Sequence, residues 1–272
     1  MLKDRVVSAI VMLVAFVIIN FFLPEPLFRL CLSLLAGVAA WEWSRLSGVR
    51  QENHQWLCGG ILFLLTVFLW LVLPYAGIAR VAALVGVLVW LGVVGLLVLA
   101  PARTLTENSI DWKALLAGAF LLILCVMFMD RLHGRDYGGS PWLLLYALSV
   151  VWVMDIGAYF SGKRFGRHKL APLISPGKTW EGVVGGVCCA AVLALLTLMF
   201  SSFARDHTLV FFVGTVLAAA VSVVGDLFES RLKRAAGFKD SSQLIKGHGG
   251  ILDRIDGVIA AIPVFGFAWT WL

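Results

Sequence analysis

The sequence predicts an all-α protein, a polytopic bundle of about nine transmembrane helices with a cytoplasmic N-terminus. Of the 272 residues, 61% are hydrophobic and only 14% are charged, whereas soluble domains carry about 25% charged residues. Mean hydropathy is +0.94. The apolar residues fall into repeated uncharged runs, and about 20 residues in a helix suffice to cross the hydrocarbon of a bilayer. Because only helices and closed barrels satisfy their backbone in lipid, a helical bundle is expected.

Nine apolar runs are predicted to form the spans. They cover residues 6–23, 27–46, 56–73, 81–100, 114–129, 141–160, 182–203, 208–228 and 251–272. The fifth run is short, and the ninth carries charged residues at its start. The first is interpreted as an uncleaved span, because its apolar stretch is longer than that of a typical signal peptide. The five cysteines lie within these runs without metal or disulfide spacing, as small packing residues do.

The basic residues predict the orientation. With nine spans and the N-terminus inside, sixteen of the twenty-two Lys and Arg residues face the cytoplasm, five face the other side, and Arg254 stands at the start of a span. This distribution follows the positive-inside rule. Most of the cytoplasmic charge lies in the loops before the seventh and ninth spans. We look for the chemistry in these two loops and divide the chain into N-terminal transmembrane helices, residues 1–140, and a C-terminal transmembrane region, residues 141–272, which is expected to be the catalytic region if these loops carry the chemistry.

Four carboxylates are predicted to meet at one membrane level. Asp155 and Asp226 lie near the cytoplasmic ends of their spans. A negative charge there interacts unfavourably with the helix dipole, and an ionised side chain at membrane depth is costly. Asp253 and Asp256 are three residues apart and share a helix face at the start of the ninth span. Mg²⁺ prefers such oxygen ligands together with substrate phosphates. The alternatives are structural ion pairs and, for Asp253 and Asp256, a favourable charge at a helix N-terminus.

Both basic loops have features of phosphate-binding segments. Before Asp253 a basic arm leads into the glycine turn 247–250, whose backbone amides can face an anion. The other loop, residues 162–182, contains Gly177-Lys178-Thr179, which invites a P-loop interpretation. We exclude it, since Pro172 replaces the first glycine of that motif and no strand is predicted before it. Gly182 and Gly186 form a GxxxG step for close helix packing, with a homodimer face left open.

A long segment resembles the signature of the phosphatidate cytidylyltransferase family. It is SRLKRAAGFKDSSQLIKGHGGILDRID, from Ser230 to Asp256. Further similarity lies in residues 155–159, 175–182 and 225–227, so that the resemblance covers about residues 150–256. The first 140 residues resemble the family only in being apolar spans. Lys246 stands where the family usually has Pro, and Ile156 where it has a small hydroxyl residue.

The resemblance implies that CTP and phosphatidate give CDP-diacylglycerol and pyrophosphate, with Mg²⁺ required and a second, monovalent cation such as K⁺. The catalytic residues would be Asp226, Lys239, Asp240, Asp253 and Asp256. We expect Asp226, Asp253 and Asp256 to hold the metal. The substrate-binding residues would be Asp155, Lys163, Lys178, Ser230, Lys233, Arg234, His248, Gly249, Gly250 and Arg254. The expected partners are CTP, phosphatidate, the membrane and, as an open alternative, a second copy of the chain, with no nucleic acid.

Two other functions stay open at this point. An anion transporter would be expected to show inverted repeats and a site near the bilayer midplane, neither of which the sequence indicates. A CTP-dependent lipid kinase would differ in releasing CDP rather than pyrophosphate. The length and the short N-terminus favour a bacterial inner-membrane protein with its active site at the cytoplasmic face.

Overall fold

The protein is a bundle of helices with one small β-hairpin. The structure, a computed structural model, describes residues 2–72, 75–99, 110–134, 138–201, 207–245 and 249–269. Within these ranges the helices are α1 (Leu2–Phe22), α2 (Glu25–Leu46), α3 (Glu52–Val72), α4 (Tyr75–Leu99), α5 (Trp112–His133), α6 (Pro141–Phe165), α7 (Trp180–Phe200), α8 (Thr208–Ala235) and α9 (Leu252–Trp269). The strands are β1 (Lys169–Ala171) and β2 (Ser175–Thr179).

Each predicted apolar run overlaps one of these helices. Six helices, namely α2, α3, α5, α6, α7 and α8, are long and apolar enough to cross a membrane. Large apolar side chains such as Leu64, Leu71 and Val184 are exposed on the outside of the bundle, where lipid is a suitable solvent. The helical fold class is therefore confirmed, and helix length and composition are those of a multi-pass membrane protein.

Short polar side chains determine where several helices begin. Asp111 accepts a hydrogen bond from the backbone N–H of Ala114 at the start of α5, and Ser140 accepts one from Leu143 at the start of α6. Thr179 does the same for Gly182 in α7. Each contact satisfies a backbone donor that has no partner within the helix. The Thr179 cap starts α7 directly after the hairpin that joins α6 to α7.

Helix α9 lies at the centre of the bundle. It contacts α2, α4, α5, α6 and α8, and the segment from Val258 to Pro263 is buried. Its N-terminal turn, with Asp253 and Asp256, is therefore surrounded by other helices. Because neighbouring helices rather than lipid surround its charged first turn, α9 can lie inside the bundle.

Glycines allow α6 and α7 to approach closely. A Cβ atom on Gly186 would lie 2.5 Å from the carbonyl oxygen of Met154, and one on Gly182 would lie 2.8 Å from that of Ala158. The predicted GxxxG step thus packs against α6 of the same chain. Close packing through small residues is typical of membrane helices.

Near the N-terminus of α2, a buried ion pair joins α2 to α5. Arg29 Nε donates to both oxygens of Asp130, at 3.0 and 3.1 Å, and Asp130 is buried. The neighbouring His133 ring stacks on Phe28 with centroids 3.8 Å apart. These contacts join the N-terminal part of α2 to the C-terminal part of α5.

The hairpin between α6 and α7 departs from the all-α prediction. Strands β1 and β2 pair antiparallel, with Lys169 opposite Thr179 and Ala171 opposite Ser175. The expectation that no strand precedes Gly177-Lys178-Thr179 was therefore wrong, because a basic, glycine-rich segment this short has no recognisable alternation. Pro172 still excludes a P-loop, since the motif's first glycine is missing.

Replacing Gly186 by Ala is expected to destabilise the bundle. The added methyl group meets the backbone of α6, and such overpacking costs about 1–3 kcal/mol. Gly60→Ala in α3 is the matched control, because a Cβ atom there meets nothing within 4 Å. Thermal unfolding in detergent should show a lower midpoint for Gly186→Ala and an unchanged or higher one for Gly60→Ala. Equal midpoints would contradict the close contact of α6 and α7.

Candidate active site

Three carboxylates from three helices come together at one end of the bundle. Asp155 of α6, Asp226 of α8 and Asp256 of α9 are close enough to interact electrostatically. Lys178 of β2 forms an ion pair with one oxygen of Asp226, and the Ser230 hydroxyl donates to the other at 3.2 Å. We call this group, Asp155, Lys178, Asp226, Ser230 and Asp256, the Asp226 cluster. It holds more acidic than basic groups, which suits a cation and its phosphate ligands.

A second cluster surrounds Lys233. Its ammonium group donates to Glu229 Oε2 and to Asp253 Oδ1, both at 2.7 Å. The Glu229 and Asp253 side chains are 1% and 6% exposed. Asp253 Oδ2 accepts further bonds from the Ser241 N–H at 3.0 Å and the Gly250 N–H at 2.8 Å. We call these residues the Lys233 cluster. Both oxygens of Asp253 are occupied by donors from its own chain.

The loop between α8 and α9 turns back on itself at two glycines with left-handed backbone. Gly237 has φ 77° and Gly249 has φ 84°, a conformation that favours glycine. Backbone hydrogen bonds join Ile245 and Gly249 in both directions, at 2.9 and 3.1 Å. Residues 246–248 lie outside the described residues, so the role predicted for His248 stays a prediction.

The remaining predicted site residues lie on exposed chain next to these clusters. Arg234 follows Lys233 and donates to the Phe238 carbonyl at 3.4 Å. The Lys163 ammonium lies 5.8 Å from the centre of the Tyr159 ring. Lys239, Asp240 and Arg254 are also exposed. Exposed side chains of this kind can meet a ligand from the aqueous side.

A basic cavity opens beside the hairpin. Its volume is about 450 Å³, and it is lined by Arg164, Phe165, Gly166, Arg167, His168 and Glu181. Glu181 accepts hydrogen bonds from the backbone of Arg167 and His168, and the His168 ring lies 2.6 Å from it. Glu181 therefore fixes the backbone that presents the basic side chains.

Comparison with known proteins identifies the family. The model of the cytidylyltransferase family matches residues 3–271. The chain belongs to this family. It is 40% identical to the phosphatidate cytidylyltransferase of Haemophilus influenzae over all of both chains. It is 39% identical to that of Pseudomonas aeruginosa, over all of this chain and 97% of the relative, and 36% identical to that of Brucella suis, over 84% and 79%.

The resemblance to this cytidylyltransferase family is thereby confirmed, and it is wider than the sequence motifs indicated. The expectation that the first 140 residues share only apolar character was wrong, because the match begins at residue 3. The structure offers a reason. Glu42 of α2 accepts hydrogen bonds from Ser241 and Ser242 in the loop before α9, so the N-terminal helices contact the signature segment directly.

The Asp226 cluster fits the ligands that Mg²⁺ prefers better than the Lys233 cluster does. Mg²⁺ usually binds through one or two carboxylates, with substrate phosphates and water completing its shell. Asp226 is 29% exposed, and Asp256 and Asp155 lie nearby. Asp226 accepts from two donors, Lys178 and Ser230, whereas Asp253 is only 6% exposed and accepts from Lys233, from Gly250 and from both the N–H and the hydroxyl of Ser241. Among the described residues, no three His, Cys, Asp or Glu side chains are close enough together to hold a metal ion by themselves, so substrate phosphates and water would have to supply further ligands.

Three residues of the site were missed from the sequence: Glu42, Glu229 and Ser241. Glu42 is the one carboxylate in the second apolar run, and an ionisable residue within a span is a candidate functional residue by that position alone. Glu229 stands four residues before Lys233, the spacing of a helical ion pair. Ser241 carries no comparable signal, since serine is common in loops.

Removing the Lys233 ammonium is expected to destabilise the protein strongly. Lys233→Met would leave Glu229 and Asp253 buried without a counter-charge, and breaking a buried pair in this way costs roughly 3–5 kcal/mol. Arg234→Met, at the next and exposed position of α8, is the matched control. Thermal unfolding of the two variants in detergent tests this. A Lys233→Met midpoint equal to that of Arg234→Met would refute the buried bridge.

Proposed function

We propose that this protein transfers the cytidylyl group of CTP to phosphatidate, giving CDP-diacylglycerol and pyrophosphate. The observation that carries the proposal is the meeting of Asp155, Asp226 and Asp256 with Lys178 in one cluster, in a chain of the cytidylyltransferase family. The relatives that match over their full or nearly full length are named phosphatidate cytidylyltransferases. Carboxylates and lysines at one place suit the joining of two phosphate-bearing substrates.

In the proposed reaction, an oxygen of the phosphatidate phosphate attacks the α-phosphorus of CTP. The new bond forms in line as the bond from the α-phosphorus to the bridging oxygen breaks, and pyrophosphate leaves with that oxygen. The nucleophile is a phosphomonoester anion and needs no strong general base. Positioning and charge neutralisation therefore supply most of the catalysis.

The described residues divide this work between the two clusters. Mg²⁺ would orient and neutralise phosphate oxygens. Asp226 and Asp256 would hold it, and Asp253 belongs to the predicted set of ligands. A monovalent cation such as K⁺ would be a second ion. Lys178 carries a positive charge to the same place. Lys233 of α8 donates a hydrogen bond to Asp253 in the first turn of α9 and so joins the two helices. The exposed Lys163, Arg234, Lys239 and Arg254 are available to the phosphates that arrive from water.

We also propose the finer topology: nine spans, a cytoplasmic N-terminus and an active site at the cytoplasmic face of a bacterial inner membrane. The distribution of Lys and Arg supports it. Asp155 and Asp226 stand in the C-terminal parts of α6 and α8, and Asp253 stands in the first turn of α9, so these ends share one level. There CTP from the cytoplasm and a lipid headgroup can meet. The catalytic region 141–272 and the homodimer stay predictions.

The reaction can be tested on purified protein in detergent with CTP, phosphatidate and Mg²⁺. We expect equal amounts of CDP-diacylglycerol and pyrophosphate. Asp226→Asn should lower turnover about 100- to 1,000-fold, the usual effect of losing a group that stabilises transition-state charge. Asp111→Asn is the matched control, because Asn also caps a helix and should keep wild-type turnover.

The products distinguish the alternatives. CDP in place of pyrophosphate would indicate a lipid kinase. A folded protein that forms neither product, beside an active control enzyme, would favour a transporter. Wild-type turnover in Asp226→Asn would remove Asp226 from the proposed site.

The topology can be tested by cysteine labelling in bacterial membrane vesicles. Leu173→Cys lies at the exposed tip of the hairpin, 84% exposed, and His207→Cys lies at the exposed start of α8. A membrane-impermeant maleimide should label Cys at 173 only in inside-out vesicles and Cys at 207 only in right-side-out vesicles. The unsubstituted protein measures labelling of the native cysteines. Labelling of both positions from the same side would contradict the proposed topology.

A further inference from the structure

Glu42 is a carboxylate buried within the membrane-capable helix α2. Its side chain has no exposed surface, although burying a charge among apolar helices is costly unless every lone pair is satisfied. The family signature lies between residues 230 and 256, far from Glu42 in sequence. The contacts of Glu42 nevertheless all lie in that segment.

Each oxygen of Glu42 accepts one serine hydroxyl and one backbone N–H. Oε1 accepts from Ser242 Oγ at 2.5 Å and from the Ile251 N–H at 3.0 Å. Oε2 accepts from Ser241 Oγ at 3.0 Å and from the Leu252 N–H at 2.6 Å. All four partners are donors, so the carboxylate is fully used by its own chain.

These four donors come from the two ends of one loop. Ser241 and Ser242 precede the glycine turn, whereas Ile251 and Leu252 follow it and lead into α9. Glu42 therefore closes the segment 241–252 and caps the first turn of α9. A Cβ atom on Gly250 would lie 2.6 Å from Glu42 Oε2, which explains why glycine occupies this position.

Glu42 is connected to Asp253 through Ser241. The Ser241 hydroxyl lies 3.0 Å from Glu42 Oε2 and 3.0 Å from Asp253 Oδ2, and its single hydrogen serves one of them at a time. One turn further along α2, Arg45 donates to the Ser241 carbonyl at 3.4 Å and lies 4.1 Å from the centre of the Phe238 ring. Two side chains of α2 thus hold the same stretch of the loop.

We propose that Glu42 is a positioning residue for the cytidylyl transfer. It fixes residues 241–242 and 251–252 at the two ends of the loop, and in this way sets Asp253 and Asp256 of α9 relative to Asp155 and Asp226. Its four hydrogen bonds are all to the loop and the first residue of α9, so Glu42 acts through these segments rather than on the substrates or the cation. The inference rests on the proposed function for its kinetic consequence, but not for the structural one.

Glu42→Gln is the sharpest test because the two side chains have nearly the same shape. A glutamine has one carbonyl oxygen, so it can serve only one of the two pairs of donors. Its NH₂ group would face the second backbone N–H, and two donors cannot bond to each other. Asp130→Asn is the matched control, since it also turns a buried carboxylate into an amide and lies at the other end of the bundle.

We expect Glu42→Gln to lower kcat/KM about 10- to 100-fold, the usual effect of losing an outer partner of metal-binding groups. Hydrogen exchange measured by mass spectrometry should become faster in peptides that cover residues 241–252 and stay unchanged in α5. Asp130→Asn should give the reverse pattern, with faster exchange around α5 and wild-type kinetics. Ser242→Ala, which removes one of the four donors, should show the Glu42→Gln changes in weaker form.

Several outcomes would overturn the inference. Wild-type kcat/KM in Glu42→Gln with faster exchange in the loop would show that loop position does not matter for turnover. Unchanged exchange would show that Glu42 does not hold the loop. If Glu42→Gln fails to fold, Ser242→Ala decides, and wild-type exchange and kinetics in that variant would refute the proposal. If the unsubstituted protein makes no CDP-diacylglycerol, the proposed function fails, while the exchange experiment still tests whether Glu42 holds the loop.

Discussion

The structure depends on the pairing of charges inside a bundle whose outer surface is apolar. Lipid offers no hydrogen bonds, so each buried ionic group must find its partners within the chain. Arg29 with Asp130 does this at one end of α2, and Glu42 with the loop before α9 does it near the other. These residues are thirteen apart, about 20 Å along a helix. The polar groups between α2 and its neighbours thus act at both ends of a long apolar contact.

The helices themselves were largely predictable from the sequence, because nearly continuous apolar runs are the strongest signal that a membrane protein carries. Among the described residues, each of the nine runs overlaps one helix. The ends were less accurate: α6 extends to Phe165 and α8 to Ala235, beyond the runs that end at residues 160 and 228. Basic side chains such as Lys233 lie in these extensions, and hydropathy ends a span at the first charges although the helix continues. The β-hairpin was missed because strands of three and five residues leave no periodic pattern.

The site was predictable only in part. Asp155, Asp226 and Asp256 were expected to converge from their depth in their helices, and the structure brings them together. Hydropathy and residue spacing do not predict which side chains pair with one another. Lys233 binds Glu229 and Asp253 rather than meeting water, and Glu42 reaches a loop two hundred residues away in sequence. Such contacts arise from the three-dimensional crossing of helices, which a single sequence does not specify. They also show that the N-terminal helices and the signature segment form one structural unit.

The ion pair of Lys178 and Asp226 has a consequence for how the site accepts a charged ligand. Lys178 lies on a strand of the exposed hairpin, whereas Asp226 lies on a long helix of the bundle. A cation bound to Asp226 would displace the ammonium group that now neutralises this carboxylate, and the positive charge of Lys178 would then lose its partner. The negative phosphates of an incoming nucleotide would find that charge newly available. Cation and nucleotide would therefore favour each other's binding through the exchange of one lysine partner.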